Sequence, residues 1–139
     1  MADLTVLIRL HKHELDEKRL ALGKLYSILA ELERERRELE RAFKAEQEAI
    51  AATGDIHFTF AAYVEKVKQQ RKEFDEQEAE LEEQITKAKD SLMETFSELK
   101  KYEMTQEERE RLAEEERRVK ESQDMDAIGL ETFRRKAEE

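Results

Sequence analysis

Cysteine, proline and tryptophan are absent from this chain of 139 residues, and glycine occurs only at 23, 54 and 129. Without cysteine there can be no disulfide and no thiolate metal site, so a reducing compartment is permitted. Without proline, and with so little glycine, almost nothing interrupts a helix. Long apolar runs are missing as well. Residues 4–10 come nearest to one, but Thr5 and Arg9 break the run, so neither a secretory signal nor a membrane span is expected. A net positive charge is also lacking, since 26 Lys and Arg stand against 36 Asp and Glu. A net charge of −10 argues against the cationic field that nonspecific nucleic-acid binding needs. Gly54 stands outside any glycine-rich loop and has no Lys-Ser or Lys-Thr pair beside it, so the chain has no phosphate cradle of its own. The reading is a cytoplasmic protein without a cofactor.

What remains is charge and leucine. With 45% charged and 38% hydrophobic residues, the chain cannot easily fill a compact globular interior. Periodicity decides between disorder and long helices. Alternate steps of four and three from Leu4 land on Ile8, His11, Leu15, Lys18, Leu22, Leu25, Leu29, Leu32, Arg36, Leu39, Phe43, Glu46 and Ile50. A mostly apolar row at a 3.5-residue spacing is a coiled-coil seam. A second row runs through Phe60, Val64, Val67, Arg71, Phe74, Glu78, Leu81, Ile85, Ala88 and Leu92, then Phe96, Leu99 and Tyr102. Between Leu92 and Phe96 the step is four where three is due, which predicts a local drift of the seam around its helix.

Between the rows stands "IAATGDIHFTF", residues 50–60. Gly54 tolerates positive φ, and Thr53 or Asp55 can cap a helix end, so this stretch reads as a helix stop and restart. Each flanking seam lacks a partner, and folding back supplies one. The expected fold is therefore all-α, a single domain over residues 1–139, with two long helices in an antiparallel coiled-coil hairpin. Helix one is predicted over 3–52, a turn over 53–57, helix two over 57–128, and a tail over 129–139 after a C-cap at Gly129.

At 1.5 Å per residue the first helix is roughly 75 Å long and the second roughly 105 Å, so the second overhangs. A fold at residue 55 sets Leu4 beside about residue 106. Beyond that point, residues 107–126 hold little that is apolar except Leu112 and Val119. Pairs such as Glu107 with Arg111 and Glu114 with Arg118 support the segment as helix. Leu130, Phe133 and the basic residues 134–136 form a short amphipathic end.

Little here suggests catalysis. His11 and His13 are two apart, so on a helix they point about 200° apart and cannot share an ion. His11 reads as a seam residue, His13 as solvated and His57 as an exposed loop imidazole. Carboxylates abound, but two packed helices offer no pocket to dry and fix an acid–base pair. Lys18, Arg36, Glu46, Arg71 and Glu78 interrupt the seams. Either they snorkel past a narrow contact, or they pin register, with Arg36 near Phe74 and reaching toward Glu78. Phe58, Phe60, Tyr63, Val64 and Val67 crowd aromatic and apolar surface beside the turn. Hairpin packing accounts for part of this, and a protein-binding tip for the remainder.

The opening "LIRLHKHELDEKRLALGKL", the restart "FTFAAYVEKV", the phrase "FSELKKYE" and the close "DAIGLETFRRK" together resemble the FliJ-type proteins of bacterial flagellar type III export. The resemblance runs through most of the chain. It implies a two-helix antiparallel coiled coil similar to the stalk of rotary ATPases, non-enzymatic and peripheral to the inner-membrane export apparatus. The implied partners are a hexameric export ATPase, a membrane gate protein and export chaperones. Carried onto this chain, it makes Leu4, Leu7, Arg9, Leu112, Val119, Ile128, Phe133, Arg134 and Arg135 the ATPase-facing ends. Phe58, Phe60, Tyr63 and Val67 become the contact for gate or chaperone. Such a hairpin is expected to be monomeric when free and not to insert into the membrane. Two other readings differ in class: a structural coiled coil pairing seams between chains, with "IAATGDIHFTF" as a hinge, and a chaperone gripping clients with its aromatic tip.

Overall fold

A computed structural model describes residues 3–54 and 58–138, Phe58 by its backbone alone. They form two helices, α1 (Thr5–Thr53) and α2 (Phe58–Glu138), packed as an antiparallel hairpin with α2 the longer. Asp3 starts α1. Its carboxylate accepts a hydrogen bond from the Thr5 amide at 3.0 Å and another from the Thr5 hydroxyl at 2.6 Å, satisfying a donor that the first turn leaves without a partner. Gly54 ends the helix. With φ at 72° it adopts the left-handed conformation, and its N–H donates to the Ile50 carbonyl at 3.0 Å, as expected of a glycine just past a C-terminus. Thr53 adds a bond from its hydroxyl to the same carbonyl. Asp55 and His57 lie outside the described residues.

Contacts group the chain into two compact units. The turn unit is Glu14–Thr95, and the terminal unit combines Met1–His13 with Phe96–Glu139. In a long antiparallel pair each residue touches only what lies opposite it, so cohesion is local.

In the turn unit the expected seams are the buried ones. Leu15 and Leu32 of α1 and Val67 and Ile85 of α2 are the apolar core, while Leu22, Leu25, Leu29, Leu39, Phe43 and Leu81 are partly covered beside them. Glu46 alone of the first row is exposed. Polar seam residues are paired across the helices. Arg71 grips Glu40 through two parallel bonds of 2.7 and 2.8 Å, with its guanidinium 4.9 Å from the Phe43 ring. Arg36 lies over Phe74 and meets Asp75 at 3.2 Å and Glu78 at 2.8 Å, which is the arrangement the sequence suggested. Its Nη2 is shut off from water and sits beside Glu78 Oε2 as an ion pair, without the alignment of a hydrogen bond.

One seam position differs. The seam passes through Thr95, only 3% exposed, where the sequence pointed to Phe96. The 3.5-residue row therefore keeps its step of three after Leu92. The Lys18 ammonium donates to Thr95 Oγ1 at 2.5 Å and to the Ser91 carbonyl at 3.3 Å, and Glu14 stands 3.3 Å from it. A hydroxyl can occupy the buried position because the cation opposite satisfies it.

In the terminal unit Leu4 and Leu99 are buried, and His11 fills a seam position as expected. The His11 ring lies 4.9 Å from that of Tyr102, with Nδ1 2.8 Å from the Leu7 carbonyl and Nε2 3.4 Å from Glu98. Gln106 donates to Asp3 Oδ1 at 3.2 Å, close to the expected pairing of Leu4 with residue 106. Past Gln106, α2 continues without α1 beside it.

α2 does not stop at residue 128, and there is no separate tail over 129–139: helix persists to Glu138. Gly129 is not a C-cap. It has no positive φ and nothing within 4 Å of where a Cβ would stand. One glycine costs a helix about 1 kcal/mol, and the good helix formers around it, with Glu131 paired to both Arg134 and Arg135, outweigh that cost.

Candidate protein-binding surfaces

Two surfaces follow from this packing, one in each unit. The first is the start of α2. Tyr63 sits with its ring 6.2 Å from Phe43 and 6.3 Å from Phe60, so three aromatic rings form a partly covered cluster at the turn end of the unit. Tilted rings at this spacing attract one another beyond the area they bury. The Phe58 side chain lies outside the described residues. Val67, which the sequence placed with this surface, is 1% exposed and is the most deeply buried large side chain described. It is core, because it falls on the seam row where α1 covers it, and it offers nothing to a partner.

The second surface is α2 from residue 107 onward. The row that faces α1 through Leu99, Tyr102 and Gln106 would continue to Arg109, Ala113, Glu116 and Lys120. That continuation is polar. The apolar residues lie elsewhere: Leu112, Val119 and Phe133 are separated by multiples of seven and share one face, joined by Leu130. Phe133 is 73% exposed and Leu130 71%. Ile128 is nine residues from Val119 and so points to the opposite side, beside Met125. The expected set at the chain ends is thus only partly one surface. Leu112, Val119 and Phe133 belong together and Ile128 does not. Leu4 is buried, while Leu7 and Arg9 are exposed on α1.

Ion pairs between residues three and four apart line this stretch, each adding a few tenths of a kcal/mol to the helix. Arg111 pairs with Glu108 at 2.6 Å and Glu115 at 3.4 Å, Arg117 with Glu114, and Arg134 with Glu131. Arg111 thus pairs with Glu108 and Glu115 where Glu107 was expected, while Glu114 pairs with Arg117 and also feels the charge of Arg118, its expected partner. Arg111 holds the Glu108 carboxyl below the usual carboxylate range, and Arg117 does the same to Glu114. All of these groups are solvated, so salt screens them readily.

Asp3, Gln106 and Thr95 escaped the sequence reading. Asp3 carried a signal, since Asp two residues before a threonine at the head of an apolar row is a helix-start pattern. Thr95 carried none until Lys18 was placed opposite. Among the described residues no group of three His, Asp or Glu side chains is arranged to hold a metal ion, and no helix is long and apolar enough to cross a membrane. Compared with family models, curated proteins and solved structures, the chain matches none of them.

Proposed function

We propose that this chain is a non-enzymatic stalk or adaptor that links protein machines through its surfaces, and that it acts as the FliJ-type resemblance implies. In that role the chain ends enter the ring of a hexameric export ATPase, and the start of α2 meets a gate protein or a chaperone, at the cytoplasmic face of an export apparatus.

One observation carries the reading: α2 runs helical from residue 107 to Glu138 with no α1 across from it, and it presents Leu112, Val119, Leu130 and Phe133 in one row. Isolated helices are marginal in water unless packing stabilises them, and an exposed apolar row on such a helix marks a contact. The surrounding ion pairs suit a ring interior that changes state, because screened contacts break and reform at little cost.

Deletion of residues 107–139 tests this. The shortened chain is expected to keep its paired helices by circular dichroism and to lose both binding to the export ATPase and stimulation of its turnover. Full stimulation by the shortened chain would refute the proposal.

A further inference from the structure

The turn unit carries a surface that the stalk reading does not use. Along one flank of α1 two open hollows adjoin, the first in the groove between α1 and α2 and the second on α1 itself. One, of about 530 Å³, is floored by Leu32 and Leu81 and rimmed by Glu31, Glu35 and Glu80. The other, of about 660 Å³, lies along Arg19, Leu20, Gly23 and Lys24. Both include Ser27 and Ile28, so these two residues mark the middle of the combined surface. Leu20 is 64% exposed and Ile28 52%, each standing out of the surface as a knob. Over Gly23 a Cβ would meet nothing within 4 Å, so that hollow is open to its floor.

The charges identify the occupant. Cations, Arg19 and Lys24, stand at one end, and the carboxylates of Glu31, Glu35 and Glu80 at the other. A partner that matches such a surface has the same features in reverse order, and the same surface turned through a two-fold rotation has them. A two-fold axis passing between Ser27 and Ile28 would lay the α1 helices of two copies antiparallel. Leu20 of each copy would then enter the hollow floored by Leu32 and Leu81, and Ile28 would pack over Ser27. Lys24 would meet Glu31 and Glu35 of the second copy. The chain as a whole has a net charge of −10, yet this face carries both signs in near balance. Apolar knobs matched to hollows and opposite charges matched along the rim are what set register and orientation in a helix pair.

We infer that this face of α1 is a self-association surface on which a second copy of the chain docks antiparallel about Ser27 and Ile28. The contact leaves the seams within each hairpin intact, so it differs from the pairing of seams between chains. It departs from the monomer expected from the sequence.

The absence of cysteine makes the test direct. Full-length chain carrying Ser27→Cys is expected to form a disulfide-linked dimer under mild oxidation, faster than chain carrying Glu48→Cys. Sedimentation of the unmodified chain should show a dimer forming in the micromolar range. Lys24→Glu alone, or Glu31→Lys together with Glu35→Lys, should each weaken that dimer by about tenfold, and an equimolar mixture of the two variants should regain it, because every pair that position 24 forms across the copies is again of opposite sign. All three exchanges are at exposed positions, and helicity by circular dichroism checks that folding is unchanged. A single-copy mass throughout the micromolar range, equal crosslinking at Ser27→Cys and Glu48→Cys, or a mixture that stays weak would each overturn the inference. So would association that survives both charge reversals and disappears when residues 107–139 are removed, since the contact would then lie on α2.

Discussion

Lys18 and Thr95 meet across the helices at 2.5 Å, with the threonine hydroxyl almost fully buried and the ammonium still reaching Glu14 at the edge. The pair belongs to a seam that is otherwise apolar on both sides of it. A buried hydroxyl that accepts from a cation is worth more than an ordinary neutral bond, and leaving the cation without it is costly. Thr95→Ala is therefore expected to destabilise the chain by about 2 kcal/mol in urea unfolding. Replacing both members, Lys18→Met with Thr95→Val, should recover most of that loss, because an apolar pair of similar volume needs no desolvation.

Arg36 tests register rather than stability. Its guanidinium covers Phe74 and bridges Asp75 and Glu78, so it favours one alignment of the two helices over its neighbours. In Arg36→Leu the seam becomes more apolar but less selective. Cysteines introduced at Leu25 and Ile85 report the alignment. Their crosslink should be dominant in the parent and accompanied by off-register products in the variant; an unchanged product pattern would count against the pinning role.

Glu40 gives a pH dependence with a definite sign. The hydrogen bonds from Arg71 hold its carboxyl below the usual carboxylate range. A depressed folded-state value means that the unfolded chain takes up the proton first on acidification. The stabilising contribution is present above the ordinary glutamate value, near 4.3, and is lost as pH falls through the folded-state value. Both side chains are partly solvated, so the effect is modest. Glu40→Gln should be less stable than the parent at neutral pH, and the gap should close on acidification.

Two glycines should respond with opposite signs to the same exchange. Gly54→Ala forces a Cβ into the left-handed region and is expected to cost about 1 kcal/mol, although nothing crowds the site. Gly129→Ala sits within α2 and should add about 1 kcal/mol of helix stability. Amide exchange near residue 129 should slow in that variant. Faster exchange there would mean that the helix does stop at Gly129.

Val67 separates core from contact surface. Removing two buried methyl groups by Val67→Ala should cost about 2 kcal/mol, while Tyr63→Ala at the cluster margin costs less. If the start of α2 binds a partner, Phe60 and Tyr63 are the side chains whose loss weakens that binding in proportion beyond stability.

The steps of four and three along Leu4, Leu15 and Leu32, and again along Val67, Ile85 and Leu99, were enough to determine two helices and the row that each turns toward a partner. That information is legible because helix period and side-chain polarity are both local properties of the chain. Gly54 likewise announced the stop through its lack of a Cβ. What tertiary packing alone decided is which side chains share a face after folding. Thr95 rather than Phe96 entered the seam because Lys18 lies opposite, and Val67 became core because α1 covers it. One residue along a helix is about 100° of rotation, and which of two neighbours is turned inward depends on the partner across the contact.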